Sequence, residues 1–164
     1  MGSVRSIRQP AESEWEQLYR DERMSLVRVA LLITGSPEMA EDAFHTAVER
    51  VRTRLESIDR PGAYLRTVVV NAARELAGRA ARERGAGLAA ELPHEMHVHL
   101  DTRQLEIWAA MRQITERRRT ALILRYYVDL PVGEIAELLE CQPGTVSSLL
   151  HRGLADLREE LSDD

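Results

Sequence analysis

Apolar residues recur at intervals of three and four along most of this chain, the period of a helix that buries one face. From Glu12 to Ile33 the series is Trp15, Leu18, Tyr19, Leu26, Val29, Ala30 and Ile33. Thr34-Gly35-Ser36-Pro37 interrupts it. Gly35 suits a left-handed C-terminal cap, and Ser36 ahead of Pro37 and Glu38 suits a helix start. A second helix runs from there to about Leu55, with Met39, Ala40, Ala43, Phe44, Ala47, Val48 and Val51 along one side. Asp59-Arg60-Pro61-Gly62 is the next break, and Tyr64, Leu65, Val68, Val69, Ala72 and Leu76 then mark a third helix that fades near Arg84. No strand pairs and no internal repeat are visible.

Between Gly85 and Leu100 the period is lost and Gly85, Gly87 and Pro93 appear, the composition of a linker. Beyond it Asp101 is placed to cap a helix carrying Leu105, Trp108, Ala109 and Met111. Thr115-Glu116 opens another with Ala121, Leu122, Leu124 and Tyr127, and Pro131 a short one with Ile135, Ala136, Leu138 and Leu139. Pro143-Gly144 starts the last, along which Val146, Leu150, Leu154 and Leu157 keep the spacing. The expectation is an all-α chain of two small helical bundles, residues 1–84 and 101–164, joined by a linker over 85–100. The second bundle ends in a helix-turn-helix.

Length and composition agree. A chain of 164 residues is long enough to bury a core. Aromatics at 4% leave that core to aliphatic residues, which favours helices over packed sheets. The single cysteine, Cys141, excludes an internal disulfide framework and reads better as a small core residue than as a redox sensor. No eighteen-residue apolar run is present to cross a membrane, and Met1-Gly2-Ser3-Val4-Arg5 lacks the apolar centre of a signal peptide, so the cytoplasm is the expected compartment.

Net charge is −5, which argues mildly against a nucleic-acid binder until its distribution is seen. All 22 basic residues are arginine. Residues 1–84 hold 14 arginines against 13 acids, and residues 85–164 hold 8 against 14. The stretch 60–84 carries six arginines against Glu75 and Glu83, a local net charge of +4.

Val132 to Val146 carries the most specific local pattern. A small residue, Ala136, sits where two helices must cross closely, and Ile135, Leu139, Cys141 and Val146 flank a short turn. A helix-turn-helix of this kind turns the start of its second helix to the major groove, presenting Gln142, Thr145, Ser147, Ser148, His151 and Arg152. An ordinary helical hairpin would show the same spacing.

Thr120-Ala121-Leu122-Ile123-Leu124-Arg125-Tyr126-Tyr127-Val128-Asp129-Leu130-Pro131, with Glu134-Ile135-Ala136, Gly144-Thr145-Val146 and His151-Arg152-Gly153-Leu154, resembles the fourth conserved region of bacterial sigma factors, above all the extracytoplasmic-function group. Leu32-Ile33-Thr34-Gly35, Ala40-Glu41-Asp42 and Ala63-Tyr64-Leu65-Arg66-Thr67-Val68-Val69-Val70-Asn71 resemble the second conserved region of the same group. The two matches occur in the family's order and cover about residues 15–84 and 103–160.

The resemblance implies a dissociable subunit that binds core RNA polymerase and directs it to promoter DNA, with no bond-making chemistry and no cofactor of its own. Many relatives also bind an anti-sigma factor. Carried onto this chain, the resemblance puts Glu41, Asp42, His45 and Glu49 at the polymerase, although a solvated acidic helix face would look alike. It gives the third helix a melted promoter strand, with Arg66, Arg74, Arg79 and Arg82 for phosphates and Asn71 as a polar base reader. Asn71 reads equally well as a buried capping amide.

Several positions depart from the family. Glu140 stands where a turn glycine is usual, Gln142 where a capping serine is usual, and Ser147 and Leu149 where basic residues are usual. Residues 131–164 then hold only Arg152 and Arg158 against eight acids, so this unit should grip duplex weakly by itself. In the first half Val70 replaces a usual arginine and His45-Thr46 a usual glutamine and acid. The acidic helix-turn-helix and an exposed Leu149 would also suit a degenerate sigma-like regulator that acts through protein contacts or separate DNA binding. The histidines of Pro93-His94-Glu95-Met96-His97-Val98-His99-Leu100-Asp101 could approach a metal, with His97 and His99 on one side of an extended strand, but solvated linker residues are the plainer reading.

Overall fold

The computed structural model describes residues 9–84 and 101–162 of the 164. Among them are seven α-helices and no strand. α1 (Gln9–Thr34), α2 (Pro37–Arg52) and α3 (Pro61–Arg84) pack each against the other two. α4 (Thr102–Gln113), α5 (Glu116–Leu122), α6 (Val132–Leu138) and α7 (Pro143–Ser162) form a second bundle in which α7 touches the other three. The histidine cluster at 94–99 lies outside the described residues.

Local chemistry sets most of the corners. Gly35 takes φ 69°, left-handed as expected, and its N–H reaches the Leu31 carbonyl at 2.7 Å. Ser36 Oγ accepts the Met39 N–H, with Pro37 at the first helical position. Asp101 and Gln104 form a reciprocal capping box, at 2.8 and 3.0 Å. α2 stops at Arg52, short of the expected Leu55. There the Thr53 hydroxyl bonds back to the Arg50 carbonyl at 2.9 Å, and Arg54 N–H to Val51 begins a tighter turn that leads into a 3₁₀ segment, Leu55–Ser57.

The largest departure from the expected packing follows α5. Its last turn widens into a π-turn over Ile123–Tyr127, where the Val128 N–H reaches back five residues to Ile123 at 3.0 Å. The inserted residue rotates the face that follows. Tyr127, expected in the core, is 51% exposed beside Tyr126, and Leu130 is buried instead. In α4 it is Ala110 that faces inward, while Ala109 is exposed.

The two bundles meet in one continuous apolar core, in which Phe44, Leu65 and Val69 of the first and Leu124, Ile135 and Val146 of the second are fully buried. α5 carries the polar side of the junction. Arg119, 3% exposed, donates to the Ile114 carbonyl at 2.8 Å and across the junction to the Ile33 carbonyl at 3.2 Å. Ile33 lies in the last turn of α1, where carbonyls lack helical partners. Burial pulls the Arg119 pKa down to about 10, with nearby Glu116 opposing, so the guanidinium stays charged near neutral pH. Within the second bundle α5 and α7 approach closely at Gly153, where a Cβ would stand 3.1 Å from Leu122 Cδ1. An Arg118–Asp156 ion pair at 2.7 Å ties the same two helices.

Candidate nucleic-acid and polymerase interfaces

α3 displays its basic stretch unevenly. Arg79 and Arg82 are exposed and Arg66 is half-buried. Arg79 pairs with Glu75 one turn earlier. That hydrogen bond and the Arg79 charge hold the Glu75 carboxyl below its ordinary range, and Arg50 and Arg82 add smaller shares. Arg74 is half-buried, as Arg66 is. Its Nε lies 2.8 Å from Glu116 Oε1 of the second bundle.

Asn71 is exposed and is not a buried capping amide. It lines a cleft of about 470 Å³ between the end of α2 and α3, together with Arg50, Thr53, Arg54, Tyr64 and Thr67. The cleft combines cations, an aromatic ring and an amide with free hydrogen-bonding edges, the set that an extruded base on a phosphate strand requires. Arg50, Arg54, Tyr64 and Thr67 were not among the expected site residues. Three arginines within Arg50-Val51-Arg52-Thr53-Arg54 were the available signal, read only as the end of a helix.

On α2, Asp42, His45 and Glu49 are exposed at a spacing of three and four, hence on one face. Glu41 is set apart from them. Arg23 of α1 holds its carboxylate at 3.1 and 3.2 Å and also lies 5.8 Å from the Phe44 ring.

α6 and α7 build the helix-turn-helix. Ile135 and Ala136 are buried at the crossing, and Glu140 takes φ 51° in the turn. Cys141 is half-buried against the core, its N–H on the Ala136 carbonyl at 2.9 Å. Gln142 is exposed, and its backbone carbonyl receives Thr145 and Val146 N–H at 2.9 and 3.3 Å. Ser147, Ser148, His151 and Arg152 are exposed on α7, and Thr145 is half-buried. The Ser147 hydroxyl turns back to the Pro143 carbonyl at 3.2 Å. Leu149 is half-buried and packs on the core, so the exposed apolar site expected there is absent: its position on α7 faces the bundle. Glu134, Glu137 and Glu140 are exposed along α6 and the turn.

Residues 104–157 match the family described as sigma-70, region 4. Over 152 residues the chain is 30% identical to the RNA polymerase sigma-E factor of Streptomyces coelicolor, covering 90% of this chain and 86% of that protein. Over 155 residues it is 33% identical to the sigma-E factor of Streptomyces antibioticus, covering 90% and 84%. The chain belongs to the extracytoplasmic-function sigma factors. Its function is that of an alternative sigma factor, which binds core RNA polymerase and directs it to promoters; the family is not one of enzymes. The fold is shared with the sigma factor RpoE of Bartonella quintana, solved in complex with the anti-sigma factor NepR, at a TM-score of 0.76 and 20% identity over 92% of this chain and 98% of that one. No described helix of the sigma factor is long and apolar enough to cross a membrane.

Proposed function

We propose that this sigma factor divides promoter recognition between its bundles, with residues 1–84 opening and holding the upstream strand and residues 101–164 reading a distal duplex element. Working with polymerase, it acts in the cytoplasm and makes no bond itself. The observation that carries this reading is the cleft at Asn71. An exposed amide is flanked there by Arg50, Arg54 and Tyr64, so a base entering the cleft meets hydrogen-bonding edges and a ring while its phosphates meet cations. The outward face of α2, with Asp42, His45 and Glu49, is assigned to the polymerase. Gln142, Thr145, Ser147, Ser148, His151 and Arg152 are assigned to the distal element.

The test is transcription in vitro from fragmented genomic DNA, using sigma-free core polymerase with mapped starts. Discrete starts that share two spaced upstream motifs are expected. Asn71→Ala should lower initiation about tenfold while leaving core binding in place, the cost of one lost base-edge contact. Equal loss of initiation and core binding would count against the assignment, because it would mean the bundle rather than the reader had been damaged.

A further inference from the structure

A groove of about 640 Å³ lies where α1, α4, the π-turn and α7 come together, a size typical of small-molecule sites. Its walls are mostly apolar, with Leu32 of α1, Ile107 and Met111 of α4, and Leu154 and Leu157 of α7. The π-turn shapes its rim. The turn that takes Tyr127 out of the core sets Tyr126 and Tyr127 against this groove, and such turns are frequent at functional sites.

The polar groups of the lining are short of acceptors. It contains no acid, and its one charged side chain is Arg28, exposed on α1 with no hydrogen bond or ion pair among the described residues. The other two arginines of α1 are engaged, Arg20 with the Glu16 carbonyl and Gln17, and Arg23 with Glu41. Trp108 is 6% exposed in the groove wall, and its Nε1–H meets no acceptor. Gln104 already spends its carbonyl oxygen on the Asp101 N–H. A ligand that suits this lining therefore brings oxygen acceptors and a negative charge on an apolar body.

We propose that the groove is a binding site for a small apolar carboxylate, a single-chain fatty acid whose chain lies along the apolar walls and whose head group faces Arg28. Burial of the chain supplies the affinity, about fourfold for each methylene removed from water. Arg28 supplies the choice of acid over alcohol.

The experiment titrates dodecanoate into the full chain below its micelle concentration, by calorimetry and by Trp108 emission in a Trp15→Phe variant. Binding that saturates at one molecule per chain and changes the Trp108 emission is expected. Decanoate should bind roughly tenfold more weakly, because it buries two methylenes fewer. Dodecanol should also bind more weakly than dodecanoate, and Arg28→Gln should weaken dodecanoate about fivefold while leaving dodecanol unchanged. Arg28 is exposed, so this substitution leaves the fold intact, which circular dichroism checks. Ile107→Glu, at a second exposed position, sets a like charge in the groove and should weaken dodecanoate at least tenfold. Arg20→Gln, outside the groove, should change nothing. Loss of affinity in Arg20→Gln equal to that in Arg28→Gln overturns the proposal, since it would mean attraction to surface charge alone. Equal binding of decanoate and dodecanoate, or of dodecanol and dodecanoate, overturns it too. If dodecanoate does not bind, or saturates without changing the Trp108 emission, the groove is not a fatty-acid site and is left to a protein segment.

Discussion

The two helices assigned to DNA carry opposite charge. Around α3, residues 60–84 hold six arginines against two glutamates; around α7, residues 131–164 hold two against eight acids. Since phosphate neutralisation supplies most sequence-independent affinity, the proposed division of roles would have the first bundle provide grip and the second provide shape. The carboxylate that rests on Arg74 across the junction comes from outside that acidic stretch, from Glu116 of α5.

The contrast is broken most severely by removing the core on one side. Phe44 is fully buried in the first bundle, and Phe44→Ala should cost about 3–5 kcal/mol. Trp15 and Trp108, one in each bundle and both buried, allow each side to be followed separately in single-tryptophan variants. The Trp15 midpoint should fall steeply and the Trp108 midpoint less, through the junction alone. Equal falls would show the bundles to be one cooperative unit.

Charge can then be returned to the second bundle. Ser147 is exposed on α7 at a position usually basic in the family, and its hydroxyl serves only its own helix. Ser147→Arg should add one phosphate contact, steepening the dependence of log affinity on log salt by about 0.9 in a duplex titration of the full chain. Leu149→Arg should fail as a counterpart, because Leu149 packs on the core and the substitution costs stability. A gain from Leu149→Arg equal to that from Ser147→Arg would mean that α7 faces DNA differently.

The parts of this arrangement that were readable in the sequence are those settled within about four residues. Gly35, Ser36 and Asp101 announce their corners because a positive φ or a short oxygen acceptor acts on its own turn. The π-turn after α5 was hidden, since Ile123 to Tyr127 is chemically an ordinary helical stretch and only tertiary packing selects the extra residue. The junction was hidden for a different reason. Arg119 and Ile33 lie 86 positions apart, and neither advertises the other. The cleft at Asn71 falls between these cases: its arginines were visible, but their meeting with Tyr64 and Asn71 depends on how α2 packs on α3.

The smallest effect expected here separates two turns that flank α6. Glu140 and Asp129 both hold positive φ, at 51° and 60°. Glutamate has no short side chain to bond its own backbone there and bears the full left-handed cost, so Glu140→Gly should stabilise the second bundle by about 1 kcal/mol. Asp129 tolerates the same region better, and its carboxylate sits 3.6 Å from Arg125. Asp129→Gly should therefore gain less, since it gives up that pairing and frees the unfolded chain. Denaturant unfolding followed at Trp108 decides between them. Equal gains would mean that the aspartate's local chemistry offsets nothing, and a loss for Glu140→Gly would mean that the glutamate stabilises the helix-turn-helix in some way its backbone geometry does not reveal.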